Sequence, residues 1–63
     1  MQYRIQFLDR QATVILELTA DARNAAGAIE LIKFEDWPVH AQAMKIIDPD
    51  GREVHFENEA DRH

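Results

Sequence analysis

The chain contains no cysteine and no serine. Without cysteine it can form no disulfide, thiolate zinc site or cysteine nucleophile. Without serine it can hold no Ser-His-Asp triad. The commonest covalent staples and two common nucleophiles are therefore excluded, and we expect no enzymatic activity.

Long apolar runs are also missing. No stretch approaches the roughly 20 apolar residues that a membrane-spanning helix needs, and residues 1–10 lack the apolar core of a signal peptide. We expect a cytoplasmic protein that does not contact a membrane.

Basic residues are few, with seven Lys and Arg against twelve Asp and Glu and a net charge of −5. This charge repels phosphate backbones, and no run of basic residues offsets it locally. We expect no nucleic-acid partner.

The length of 63 residues indicates one small domain, residues 1–63, with a polar tail from about residue 58. So short a domain buries only about 60% of its unfolded surface. Small domains without staples often gain further burial by pairing with a second copy. We therefore expect a homodimer, and exchange of hairpins between copies is one route to it.

Two segments near the N-terminus, YRIQFL and TVILEL, alternate apolar and polar residues as half-buried strands do. With Arg10 and Gln11 at the tip between them, they form a hairpin. The predicted pairs are Phe7 with Val14, Ile5 with Leu16, Tyr3 with Leu18 and Arg4 with Glu17.

The following segment changes to helical spacing. Thr19 or Asp21 can cap the helix start, and Pro38 disfavours helical geometry just before it, so the helix should end by about Glu35. The predicted core-facing residues are Ala22, Ala25, Ile29 and Ile32.

A second hairpin is predicted around DPDG, residues 48–51, which suits a turn with Pro49 at its second position and Gly51 left-handed. Setting Asp48 against Arg52 places four apolar residues on one face, namely Met44, Ile46, Val54 and Phe56. The fold class is α+β, with a β-β-α-β-β order in which two hairpins form an antiparallel-rich sheet and the helix covers one face.

The same segment resembles a calcium loop in part. Asp48, Asp50, Gly51 and Glu57 match positions 3, 5, 6 and 12 of an EF-hand, but position 1 is Ile46 and the flanks read as strands. The turn is the better interpretation, and no cofactor or metal is expected.

Candidates for partner contact come from two groups of apolar residues. Leu8, Ile15 and Ile47 fall on the sheet face away from the helix, where they could form a patch. Phe34 and Trp37 cluster at the helix end, and tryptophan is enriched at binding hot spots. Trp37 is otherwise explained as a plug for the open end of the core.

The segments YRIQFLD, DARNAAGAIEL and IIDPDGREV together resemble the small uncharacterised proteins common in rhizobia and related alphaproteobacteria. The resemblance spans roughly Tyr3 to Phe56 and is most recognisable at Asp48, Asp50, Gly51, Arg52, Glu53 and Val54. It implies a bacterial β-β-α-β-β protein, and no activity or ligand comes with it.

Two functions remain open. The first is a non-catalytic protein–protein interaction module, most simply one that self-associates. The alternative is a small-molecule or metal-ion sensing module that uses His40, His55 and the region of Trp37, although these residues lack the fixed spacing of a structural metal site.

Overall fold

The computed structural model describes residues 1–33 and 36–61, which form one four-stranded antiparallel sheet and one helix. The elements are β1 (Gln2–Leu8), β2 (Val14–Asp21), α1 (Ala25–Lys33), β3 (Ala43–Ile47) and β4 (Glu53–Asn58), followed by a 3-10 turn at Glu59–Asp61. The predicted α+β, β-β-α-β-β layout is confirmed.

The strand order is β2-β1-β3-β4, so the two hairpins join through β1 and β3. This junction pairs Ile5 with Ile46 and Phe7 with Met44, and all four side chains are almost fully buried. β2 and β4 are consequently the edge strands.

The helix lies on the face of the sheet that carries these four side chains. Ala28 and Ile32 are its buried residues, and Ala25 and Ile29 pack against the core while half-buried. Ala28 has no exposed surface, because the absence of a longer side chain lets α1 lie close on the sheet. Ala22 also packs on the core but precedes the helix.

The helix begins later than the sequence predicts. Thr19 and Asp21 both belong to β2, so neither is the cap. Asn24 takes that role, since its Oδ1 accepts the Gly27 N–H at 2.8 Å. At the other end Lys33 is the last helical residue of the described part, and Phe34 and Glu35 lie outside the described residues.

The first hairpin has a different register from the predicted one. Phe7 pairs with Leu16, Ile5 with Leu18, Tyr3 with Ala20 and Arg4 with Thr19. The loop has three residues instead of two, since Asp9 N–H donates to Thr13 O at 3.0 Å, and an irregularity between Phe7 and Leu8 adds a second extra residue on β2. The two single-residue shifts together keep Leu16 and Leu18 on their expected face. Val14 pairs with Leu8 instead of Phe7, so its predicted position on the helix side is wrong.

The second hairpin confirms the DPDG turn, because Gly51 has φ of 86° and donates its N–H to Asp48 O at 2.9 Å. The register then departs from the prediction at a bulge beside Ile46 and Ile47. Beyond the bulge, Ile46 pairs with His55 and Met44 with Glu57.

This single extra residue reverses the faces of β4, so the predicted core positions of Val54 and Phe56 are wrong. Phe56 pairs with Lys45 on the sheet face away from α1 and remains 49% exposed. His55 and Glu57 instead lie on the helix side, at the edge of the core.

Candidate interaction surface

The β2 edge strand carries an exposed apolar surface. Its free edge faces away from β1, and no described strand pairs with it. Four large apolar side chains of this strand are 36–44% exposed. We call this set the β2 surface; its members are Val14, Ile15, Leu16 and Leu18.

A groove lined by both apolar and polar residues adjoins this surface on the helix side. It has a volume of about 570 Å³ and runs between β2 and α1. Buried Ile5 and Ile32 contribute to its wall, together with Leu18 and Leu31. Leu31 is 52% exposed although it lies on the helix next to the core.

The groove exists because one helix is too narrow for this sheet. A helix with its side chains is about 10–12 Å across, whereas four strands at about 4.8 Å spacing extend over a greater width. Leu16 and Leu18 pair with core residues of β1, on the helix side of the sheet, yet α1 leaves both partly uncovered.

The opposite edge strand is chemically different. β4 carries Glu53 and Glu57 on either side of His55, and His55 Nε2 lies 3.3 Å from Glu57 Oε1. Charged side chains on an edge strand disfavour pairing with another strand. β2 also has two carboxylates, Glu17 and Asp21, but it is longer and has four exposed large apolar side chains where β4 has two, so it is the less protected edge.

Leu8, Ile15 and Ile47, which the sequence predicted as a patch, do not form an exposed one. Leu8 and Ile47 are buried, and they lie at opposite ends of the β1–β3 pairing. Ile15 is exposed on β2. Phe34 lies outside the described residues.

Trp37 takes up a packing position at the core. Its ring meets Phe7 edge-on, with centroids 5.6 Å apart and planes at 68°. The half-buried ring packs against the main core cluster, which agrees with its interpretation as a plug.

Sequence reasoning missed Leu16 and Leu18 as surface residues. It placed both in the core, on the sheet face to which strand parity does assign them, but parity does not show whether the helix covers them. The sequence did contain one indication of this exposure, because it predicts four strands and only one short helix to cover them.

The histidines do not assemble a metal site in the part of the chain described. No group of three or more His, Asp or Glu side chains there is placed to hold a metal ion. His40 is exposed in the turn before β3, and His55 lies on β4. His63 is outside the described residues.

Within residues 1–33 and 36–61, no helix has the length and apolar character to cross a membrane. No protein-family model, curated protein or solved structure matches the chain. The likeness to the rhizobial-type proteins therefore stays a prediction.

Proposed function

We propose that this protein is a non-catalytic interaction module that works by self-association, and that the β2 surface with its adjoining groove is the contact site. The observation that carries the proposal is the exposure of four large apolar side chains along a strand whose outer edge has no partner among the described strands. A long apolar edge strand left in water recruits other strands.

Two properties of this site support contact with a protein. The free backbone groups of an edge strand bind an extended segment by adding it to the sheet. The groove beside the strand offers apolar wall from Leu18 and Leu31, which a neighbouring side chain can cover.

The size of the domain supports a second copy as the partner. The core of the described residues contains only four large side chains that are almost fully enclosed, Phe7, Ile5, Met44 and Ile46. Each further large apolar side chain that becomes buried contributes about 1.5–3 kcal/mol when coverage is complete. Pairing through the β2 surface gains such burial twice, once for each copy.

Sedimentation equilibrium from low to high micromolar concentration tests the proposal. We expect the mass to rise from that of the 7.3 kDa monomer towards twice that value. A monomer mass at every concentration would contradict self-association.

A matched pair of variants locates the contact. Leu16→Thr and Val54→Thr each remove an exposed apolar side chain from an edge strand, and Leu16 and Val54 are 40% and 37% exposed. Threonine keeps a high preference for strands, so both variants should fold. We expect only Leu16→Thr to weaken dimerisation. An equal effect of Val54→Thr would contradict the assignment of the dimer contact to β2.

A further inference from the structure

We propose that two copies pair their β2 strands antiparallel about a two-fold axis at Leu18, so that two four-stranded sheets become one continuous sheet. This inference rests on the proposed function and specifies its partner, register and contacts. It follows from the alternation of inward and outward backbone hydrogen bonds along β2, from the charged side chains of that strand and from the position of the groove.

Backbone parity shows which residues of β2 can bond to a partner. Met1 and Ala22 exchange two backbone hydrogen bonds of 2.9 Å, Ala22 N–H to Met1 O and the Met1 ammonium to Ala22 O. Bonded and non-bonded pairs alternate in an antiparallel ladder. Ala20 and Leu18 therefore bond to β1, whereas the N–H and C=O groups of Thr19 and Glu17 point outwards.

Charge disfavours the registers that centre on an outward-bonding residue of the regular strand. An axis at Glu17 or at Asp21 would set that carboxylate against its own copy in the partner. An axis at Thr19 would set Glu17 against the partner's Asp21, twice. Like charges directly opposite each other on neighbouring strands are destabilising.

Among the registers centred on an inward-bonding residue, an axis at Ala20 would pair only residues 19–21, because β2 ends at Asp21. An axis at Leu16 or at Leu18 remains. The Leu16 register would need regular pairing of Ile15, which lies in the irregular part of β2 between the partners of Phe7 and Leu8. The Leu18 register pairs Glu17 with the partner's Thr19 and uses the regular part of the strand.

The Leu18 register also gives Arg4 an opposite charge. Arg4 is exposed beside Thr19, and no hydrogen bond or ion pair joins its side chain to another described residue. The partner's Glu17 would lie on the far side of Thr19, with its Cα atom about two strand spacings, or 10 Å, from that of Arg4. Gln6 Nε2 already holds Glu17 Oε2 at 2.8 Å, and this bond orients the carboxylate on the same sheet face.

On the helix side the same register covers the apolar surface. Leu18 would meet the partner's Leu18 at the axis, and Leu16 would lie against the partner's Ala20. The two grooves join there, with one Leu31 on each side of the leucine pair. The interface is thus apolar on one face and polar on the other, where Thr19 lies between Arg4 and the partner's Glu17.

Single-cysteine variants test the register, because the natural chain has no cysteine. A non-bonded antiparallel pair sets its Cα atoms about 4.5 Å apart, within disulfide range. Under copper–phenanthroline oxidation we expect Leu18→Cys to form a covalent dimer rapidly. Leu16→Cys is the control, since its two copies would lie about four residues, or roughly 13 Å, apart along the strands.

A second pair of variants keeps Leu18 in place. Glu17→Cys mixed with Thr19→Cys should form the mixed disulfide, because these positions oppose each other, and neither protein alone should cross-link efficiently.

The interaction between Arg4 and the partner's Glu17 has its own test. Arg4→Glu and Glu17→Arg should each weaken the dimer at least threefold, and the double variant should recover most of the loss.

The possible results distinguish a wrong strand register from a failure to self-associate. Cross-linking through Leu16→Cys in place of Leu18→Cys would overturn the register. A dimer that sediments normally but cross-links in neither experiment would mean another contact, such as hairpin exchange, and would overturn this inference while self-association stands. A monomer at every concentration would overturn both.

Discussion

Ala12 and Gly51 occupy the same position in the two hairpin loops, with φ of 64° and 86°. In each loop the N–H of the preceding aspartate donates to the carbonyl four residues later, from Asp9 to Thr13 and from Asp48 to Arg52. The loops are therefore equivalent in backbone geometry, although one has alanine where the other has glycine.

The first prediction follows from this difference. A left-handed conformation costs an L-residue about 1–2 kcal/mol, and glycine avoids most of this cost but has more freedom in the unfolded chain. We expect Ala12→Gly to raise the free energy of unfolding by up to about 1 kcal/mol. Urea denaturation at one fixed protein concentration measures the change.

The matched change in the other loop has the opposite sign. No atom lies within 4 Å of a Cβ built on Gly51, so Gly51→Ala should lose about 1 kcal/mol through the backbone alone. If Ala12→Gly destabilised the protein as much as Gly51→Ala does, the two loops would not be equivalent.

The second prediction concerns the aspartate that organises each loop. Asp48 Oδ1 accepts the N–H groups of Asp50 and Arg52 at 3.0 and 2.8 Å. Removing such an acceptor typically costs about 1 kcal/mol, so we expect Asp48→Ala to lose about 1–2 kcal/mol and Asp48→Asn much less. Thermal and urea unfolding provide the measurement.

Asp50→Ala is the control for this prediction. Its carboxylate makes one exposed contact with Arg52 at 3.5 Å, and exposed ion pairs contribute little. A loss for Asp50→Ala equal to that for Asp48→Ala would point to a general charge effect in place of the hydrogen bonds.

The third prediction compares two isoleucines of α1. Ile32 is a buried core residue, whereas Ile29 is half-buried at its border. Ile32→Ala should cost about 2–5 kcal/mol, as large-to-small core changes do, and Ile29→Ala should cost less. The reverse order in chemical denaturation would mean that α1 is rotated about its axis.

The fourth prediction uses two alanines of the same helix. Ala28 is fully buried against the sheet, and Ala26 is exposed. Ala28→Leu should destabilise by about 1–3 kcal/mol through overpacking, while Ala26→Leu should change stability little. Equal unfolding midpoints for the two variants would contradict the close approach of α1.

The fifth prediction concerns His55, whose side chain is 25% exposed beside a Glu57 side chain that is 33% exposed. Glutamine can donate to the same carboxylate, so His55→Gln should change the free energy of unfolding by less than about 1 kcal/mol. A loss above about 2 kcal/mol, the range for a hydrogen bond to a buried charge, would assign His55 a larger structural role.

Much of the local structure could be predicted from the sequence. Alternating residues around Ile5 and Leu16 indicated strands, spacing of three and four around Ile29 indicated the helix, and DPDG indicated its turn. These signals are local, because they depend on side-chain period and on the backbone preferences of proline and glycine.

The candidate site was harder to predict, since it depends on which residues of the sheet the helix covers. The pattern placed Leu16 and Leu18 on the correct face of the sheet, but only the packed helix shows that it leaves them exposed. Leu8 and Ile47 show the converse, because they lie outside the helix-side cluster and are nevertheless buried.

The sequence by itself determined the number, type and order of the elements and the turn between β3 and β4. Only the tertiary structure decided the strand order and the bulges beside Leu8 and Ile47. One extra residue reverses a strand's faces at small local cost, so packing across the whole sheet selects the register. That selection placed Phe56 outside the core and left the β2 surface uncovered.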